Sequence, residues 1–229
     1  MRKIIILILL LSLSVAGFSQ EKRLRAYLSY ATFDVPGQMA YIETYLAAEA
    51  GSVVFVEQES GKFQATIEVT IVFTQNDSVR NFAKYELKSQ IVDNPSTANF
   101  GIVDQQRVSL PDGIYTLNLQ ISDKNNPAVE PFVTTEEIML EFSESIIQLS
   151  AIQLIESFEP TKTESILTKN GFDLVPLVYA YYPASSGKLN FYTEVYNTEK
   201  VFGVGSKFML SYFIESFEGM NRLKDFFYR

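Results

Sequence analysis

The chain has 229 residues, and its 27 acidic against 19 basic side chains give a formal charge of −8. This balance argues against nucleic acid and anionic lipid surfaces as partners, because both attract proteins through clustered lysine and arginine. The sequence contains no histidine and no cysteine. These gaps exclude the Ser-His-Asp and Cys-His catalytic arrangements, zinc sites made of the two residue types, and stabilisation by disulfides.

The N-terminus has the order of a secretory signal peptide: a positive start, an apolar run and then small residues. Arg2 and Lys3 precede the apolar residues 4–15, and cleavage is predicted after Ser19. The run of 12 residues is shorter than the about 20 that a transmembrane helix needs. We therefore predict that residues 1–19 are a signal peptide. The remaining chain, with a formal charge of −10, is predicted to be exported to the periplasm, the cell envelope or the outside of the cell, with no membrane span after cleavage.

Alternation of apolar and polar side chains predicts about eight β-strands between residues 24 and 142. The clearest is residues 63–74, where six apolar side chains share one face and Val72 is the single breach of the other. The remaining stretches with this pattern, or with a short apolar run, are 25–32, 41–46, 53–56, 79–87, 115–121 and 132–142. Turn residues separate these strands, as at residues 75–78 and 111–113.

Residues 143–145 interrupt this pattern, and we place a domain boundary there. The strands predicted beyond it are 149–158, 174–182, 188–196, 207–217 and 223–228, with residues 201–205 as a loop between strands. Five strands fall short of the seven that an immunoglobulin-type sandwich uses. The predicted fold is all-β, with antiparallel immunoglobulin-like β-sandwich domains in tandem. Residues 20–143 form the first domain, and residues 144–229 form a second, incomplete one.

An incomplete sandwich leaves an open strand edge and an uncovered apolar face, and both invite pairing with another chain. Two explanations stay open at this point. In one, a protein partner in the cell envelope completes the second sheet. In the other, which we favour, the chain is cut short relative to longer relatives.

The sequence motifs favour neither catalysis nor a cofactor. Residues 185–188 match the S-x-x-K spacing of serine–lysine nucleophiles, but the companion S-D-N and K-T-G motifs are missing, so a hairpin turn is the better interpretation. Residues 123–127 begin like a calcium loop, yet proline at the fifth position and the missing glycine indicate a turn. Carboxylates are plentiful enough for glycoside hydrolysis, but none stands out and there is no tryptophan to form a sugar platform. We predict a protein that is not an enzyme and that has no metal or other cofactor.

A group of tyrosines in the second predicted domain is the candidate contact surface. Tyr179, Tyr181 and Tyr182 crowd the end of one predicted strand. Because neighbouring side chains in a strand point to opposite faces, at least one of the three leaves the core. Tyr192 and Tyr196 lie on the next predicted strand. Such a cluster marks either a contact surface or packing between domains, and packing is the commoner case.

Several short runs resemble a family of exported bacterial proteins. The runs are residues 24–33, 36–38, 41–46, 104–107 (Asp-Gln-Gln-Arg) and 196–200 (Tyr-Asn-Thr-Glu-Lys). They are similar to exported proteins of Bacteroidetes-type bacteria whose longer members carry a C-terminal GWxTD domain, and the similarity extends over residues 24–212. The chain has no tryptophan, so the GWxTD motif itself is absent. The resemblance implies the N-terminal sandwich region of such a protein, supports truncation, and implies no particular activity.

These observations lead to three hypotheses about function. The one that we favour is a non-enzymatic binding or scaffolding module of the cell envelope. The alternative is a carbohydrate-binding or carbohydrate-processing envelope protein that uses tyrosine and carboxylate side chains. The third is a truncated chain that folds poorly.

Overall fold

The computed structural model describes residues 23–179 and 181–214, and there the chain is all-β with antiparallel strand pairing. The predicted signal peptide lies outside the described residues. Strands up to the predicted boundary are β1 (Ala26–Phe33), β2 (Tyr41–Glu49), β3 (Phe55–Glu57), β4 (Phe63–Gln75), β5 (Ser78–Lys88), β6 (Gly101–Ser109), β7 (Gly113–Asp123) and β8 (Phe132–Leu140).

These first eight strands form two sheets that pack face to face as a β-sandwich. One sheet has the strand order β1-β2-β6, and the other has the order β3-β4-β7-β8 with β5 also paired to β4. Alternate residues of β4, from Ala65 to Phe73, and of β7, from Tyr115 to Ile121, are buried in one core with Ile42 of β2. The alternation predicted for residues 63–74 is therefore confirmed, and so is the sandwich. The immunoglobulin-like strand order stays a prediction.

The β1-β2-β6 sheet is covered on both of its faces. Seven consecutive residues of its central strand, from Ile42 to Ala48, are buried. One face belongs to the sandwich core, and the other packs in a second cluster that reaches beyond the predicted boundary: Ala31, Phe33, Tyr45, Ala47 and Val178. A strand that is buried on both faces loses the alternation of apolar and polar residues. This explains why the period of two is weak in β2.

The strands after residue 143 are short. They are β9 (Gln148–Leu149), β10 (Gln153–Pro160), β11 (Thr168–Lys169), β12 (Phe172–Pro176), β13 (Asn190–Tyr192) and β14 (Val195–Tyr196), followed by the helix α1 (Thr198–Phe202). They form a four-stranded sheet of order β11-β12-β10-β13 and a two-stranded sheet of β14 and β9. This part lies against the outer face of the β1-β2-β6 sheet, so the described chain has a third layer beside the two sheets of the sandwich.

Several elements predicted for this part are wrong in extent or type. The strand predicted at 174–182 ends at residue 176, and the one at 188–196 is divided into β13 and β14. The loop predicted at 201–205 begins inside α1, and residues 207–214 form no regular strand. The apolar side chains of residues 207–214 face solvent instead of an opposing sheet. A strand prediction from alternating apolar residues requires such a sheet, so it fails here. Residues 215–217 and 223–228 of the predicted strands lie outside the described residues.

Candidate functional site

A buried ionic cluster lies between the sandwich and the third layer. Its centre is Glu43 of β2, whose side chain is 0 % exposed. Alternation along β2 places Glu43 on the same face as Tyr45, so its carboxylate points away from the sandwich core and toward the third layer. A buried carboxylate needs charged or hydrogen-bonding partners, because removal from water penalises an unpaired charge heavily.

Two cations and a hydroxyl surround the Glu43 carboxylate. Arg107, directly opposite on β6, donates from Nε to Oε2 at 2.5 Å. The hydroxyl of Tyr45 donates to Oε1 at 2.7 Å, and Nζ of Lys169 on β11 lies 3.2 Å from the same oxygen. Two positive side chains therefore contact the same carboxylate. Of the two cations only the lysine can release its proton; the charge of Arg107 favours that release, whereas Glu43 and the more distant Glu194 oppose it.

Lys169 is enclosed by aromatic rings. Its side chain is 4 % exposed, and Nζ lies 3.1 Å from the ring centroid of Phe33. The rings of Tyr192 and Tyr41 are at 5.4 Å and 5.7 Å from the same atom. The remaining polar contact of Nζ is to Oε1 of Gln153 at 3.2 Å. The arrangement is a cation–π cage that the chain fills with its own lysine.

The surroundings shift the pKa values of the groups in this cluster. Burial lowers the pKa of Lys169 from 10.5 to about 8, although the Glu43 carboxylate opposes the shift. Burial raises the pKa values of Tyr45 and Tyr41, and the negative charge of Glu43 adds to both shifts. Burial also raises the pKa of Tyr192, whose hydroxyl donates to Glu194. At neutral pH the cage therefore holds a lysine that releases its proton more easily than a lysine in water.

For a chain whose Lys169 amine is free, we expect the free energy of unfolding, measured relative to the same chain with Lys169→Met, to increase between pH 8 and about 10. In that range the unfolded lysine, with a pKa of 10.5, binds more protons than the folded one, so stability rises with pH. The slope for one proton is about 1.4 kcal/mol per pH unit. The tyrosines act in the opposite direction in both chains, because unfolded tyrosines begin to ionise in this range while folded Tyr41 and Tyr45 keep their protons, so the difference between the two chains reports Lys169.

Urea titrations across this pH range measure the slope. Lys169→Met is the control, since it leaves the Glu43–Arg107 pair in place and removes the titrating amine. Both chains are measured in the Gln153→Met background, where the amine stays free. The chain that keeps Lys169 should gain stability relative to the variant as the pH rises, and the same pH dependence in both would contradict the assignment.

The cluster also joins the layers through main-chain contacts. Nη2 of Arg107 donates to the carbonyl oxygens of Ile166 at 2.6 Å and Thr168 at 3.3 Å. Gln105 donates from Nε2 to the Ile166 oxygen at 3.1 Å. One strand of the sandwich thus holds the segment that carries Lys169, which fixes the position of the lysine in the cage.

The five tyrosines predicted as a contact surface are placed in different surroundings. Tyr181 is exposed, and Tyr179 is 41 % exposed with its ring 4.8 Å from that of Tyr27 in the first sandwich. The hydroxyl of Tyr182 donates to main-chain oxygens of Ile155 and Asn190. Tyr192 lines the lysine cage, and Tyr196 is buried, with its hydroxyl accepting from the main-chain nitrogen of Asp34. Tyr192 and Tyr196 therefore take part in packing between layers.

An exposed apolar segment ends the described chain. Nine large hydrophobic side chains between residues 201 and 214 are exposed: Val201, Phe202, Val204, Phe208, Met209, Leu210, Tyr212, Phe213 and Ile214. The segment borders a groove of about 400 Å³ whose apolar lining includes Ile147, Leu149, Val195, Phe202, Phe208 and Leu210. We refer to residues 201–214 as the apolar segment. It is the part of the described chain where hydrophobic side chains are most densely exposed.

Comparisons with known proteins give no match: no protein-family model, curated protein or solved structure matches this chain. The resemblance to GWxTD-containing exported proteins therefore stays a prediction. Among residues 23–179 and 181–214, no helix is long and apolar enough to cross a membrane. Within the same residues, no group of three or more carboxylate side chains is arranged to hold a metal ion.

The sequence patterns did not predict the ionic cluster, although five of its members lie in the runs quoted for the resemblance. Phe33 ends the first run, Tyr41, Glu43 and Tyr45 lie in the third, and Arg107 ends the fourth. The available signal was a glutamate inside a strand that lacks alternation, which indicates a charge buried on the second face of a doubly covered sheet. Lys169 and Gln153 come from other parts of the chain and had no such signal.

Proposed function

We propose that this chain is a non-enzymatic binding or scaffolding module of the cell envelope, and that its partner is a protein that docks on the apolar segment. In this proposal the signal peptide directs export, and the chain corresponds to the immunoglobulin-like N-terminal region of a GWxTD-type protein. The observation that carries the proposal is the dense exposure of hydrophobic side chains in residues 201–214.

The density of these side chains distinguishes the apolar segment from an ordinary surface. Single exposed hydrophobic residues are common on folded proteins and need no explanation. Here nine of 14 consecutive residues are large, hydrophobic and exposed, and Val204 and Met209 are each 88 % exposed. Contiguous apolar surface of this kind marks interaction sites. Its phenylalanine, tyrosine and methionine content is also typical of the centres of protein interfaces.

Charge favours a protein partner over a lipid surface. Proteins that bind anionic membranes do so with clustered lysine and arginine, and the apolar segment contains only Lys207. The chain as a whole is acidic, with a formal charge of −8. A protein with a complementary apolar surface meets no such electrostatic barrier.

Paired substitutions test the binding surface. We expect photo-cross-linking in native envelopes to yield a defined partner, and the purified pair to lose at least about tenfold in affinity with Met209→Asp and Phe213→Asp. Val79→Asp with Val133→Asp is the matched control, since both valines are 62 % exposed on the sandwich. The control should keep full affinity. Equal loss in both double variants, or binding to anionic vesicles without a protein partner, would contradict the proposal.

Fractionation tests the export step separately. Protein recovered from the envelope is expected to begin at Gln20, as shown by N-terminal sequencing. An uncleaved leader on protein found in the cytosolic fraction would refute this part of the proposal and leave the binding measurement unaffected.

A further inference from the structure

Gln153 presents a buried carboxamide directly to the Lys169 amine. Gln153 is 2 % exposed, and its Oε1 lies 3.2 Å from Nζ of Lys169. Its Nε2 is buried and has no hydrogen-bond partner among the described residues. Leaving a buried amide nitrogen unpaired costs about 1–3 kcal/mol. The molecule therefore holds an amide nitrogen whose departure would remove an unfavourable buried group.

The lysine beside it has the properties of an activated nucleophile. An amine becomes reactive when burial or a second cation favours its neutral form. Both conditions hold for Lys169, which is enclosed by Phe33, Tyr41 and Tyr192 and shares the Glu43 carboxylate with Arg107. The same enclosure shields the amide from competing water.

We propose that Lys169 and Gln153 join in an intramolecular isopeptide bond, with Glu43 as the group that moves the proton. Nζ of Lys169, as the neutral amine, attacks Cδ of Gln153 and forms a tetrahedral intermediate. The new C–N bond is retained, the bond from Cδ to Nε2 breaks, and Nε2 departs as ammonia. The reactants are one amine and one carboxamide, and the products are one substituted amide and one ammonia, so the step needs no oxidant or other reagent.

The position of Glu43 fits the proton transfer. Its Oε1 lies 3.2 Å from Nζ, within reach of the proton that the attacking nitrogen must release. Nε2 has no hydrogen-bond partner in the described part of the chain before the reaction, so the protonated carboxyl passes that proton to the leaving Nε2 in the tetrahedral intermediate, where both nitrogens are bonded to the same carbon. Arg107 and Tyr45 act as positioning residues, because their hydrogen bonds of 2.5 Å and 2.7 Å fix the carboxylate beside the amine.

The bond would staple the third layer covalently. It would link β10 to the edge strand β11 and close the loop between residues 153 and 169. Such a link restricts the unfolded chain as a disulfide does. An exported protein without cysteine would gain from it a cross-link that reducing agents cannot break. This inference does not depend on the proposed binding function.

Intact mass spectrometry of the purified full-length chain, after incubation at about pH 9, tests the proposal. We expect wild type to be lighter than its sequence by one ammonia. Trypsin should then release residues 125–162 joined to residues 163–188, with cleavage after Lys169 blocked. A mass equal to that of the sequence, with separate peptides, would overturn the proposal.

Three variants sharpen the measurement. If the leader is removed during preparation, the new N-terminal Gln20 can also lose ammonia by cyclisation, so Lys169→Met, which retains Gln20, must show no loss localised to Gln153. In Gln153→Glu, a bond between residue 153 and Lys169 should release one water instead of ammonia. A bond from Lys169 to any other side chain would refute the assignment. Glu43→Gln should slow formation of the link at least about a hundredfold, as expected for removal of a proton-transfer group. Formation at the wild-type rate would remove Glu43 from the step.

A second readout does not depend on mass. The linked chain has no titrating amine at residue 169, so the rise in stability relative to Lys169→Met between pH 8 and about 10 should disappear from it. Gln153→Met keeps the amine free and should show the full rise. A rise of equal size in linked wild type and in Gln153→Met would contradict the bond.

Discussion

Glu43→Gln is expected to lower the free energy of unfolding by about 3–5 kcal/mol. The substitution keeps the shape of the side chain and removes its charge, which leaves the buried Lys169 and the 30 % exposed Arg107 without their shared counter-ion. Denaturant titration in a Gln153→Met background measures the change, since the Lys169 amine is free there by design. Adding Lys169→Met should restore part of the loss, because it removes one of the two uncompensated cations.

The matched control for this prediction lies on the same strand. Glu49, at the end of β2, pairs with Arg25 at 2.5 Å, but the side chains are 29 % and 60 % exposed. Ion pairs at such sites contribute about 0–1 kcal/mol, so Glu49→Gln should change stability by no more than that. If Glu43→Gln and Glu49→Gln lower the free energy of unfolding equally, or if Lys169→Met restores none of the loss, the cluster does not have the electrostatic role assigned to it.

Phe33→Leu is expected to cost about 2 kcal/mol more than Phe73→Leu at about pH 7. Both phenylalanines are 0 % exposed, so the loss of packing is comparable. Only Phe33 has a cation on its ring face, with Nζ of Lys169 at 3.1 Å from the centroid. The difference between the two variants therefore reports the cation–π interaction and not burial alone.

The pH dependence of that difference provides the decisive test. The folded Lys169 amine, with a pKa of about 8, is largely neutral near pH 10, and a neutral amine has little attraction to the ring. Denaturant titrations of both variants at the two pH values, in the Gln153→Met background, should show the excess cost of Phe33→Leu fading. An excess of the same size at both pH values would mean that shape, and not charge, distinguishes the two sites.

The sandwich could be predicted because its strands obey a local rule. Residues 63–74 place apolar and polar side chains on opposite faces, and β4 buries the predicted set, from Ala65 to Phe73. The rule fails in two opposite situations. In β2 both faces are covered, so buried residues follow one another without alternation. In the apolar segment hydrophobic side chains face solvent, so a hydrophobic residue there does not indicate a buried position.

A local rule could indicate that Glu43 is buried, but it could not predict the partners that Glu43 meets. Glu43 lies more than a hundred positions before Gln153 and Lys169 in the chain. Their meeting depends on which sheet face the third layer covers and on how β11 is held by Arg107, and side-chain periodicity carries no information about either.

The residues alone were enough to indicate antiparallel β-sandwich material and to exclude histidine- and cysteine-based chemistry, since both conclusions need only alternation and composition. The packing of the three layers decided which charged side chains are desolvated. It also decided that the Lys169 amine faces the Gln153 amide. Electrostatic and nucleophilic properties arise from that desolvation and proximity, so they exist only in the folded chain.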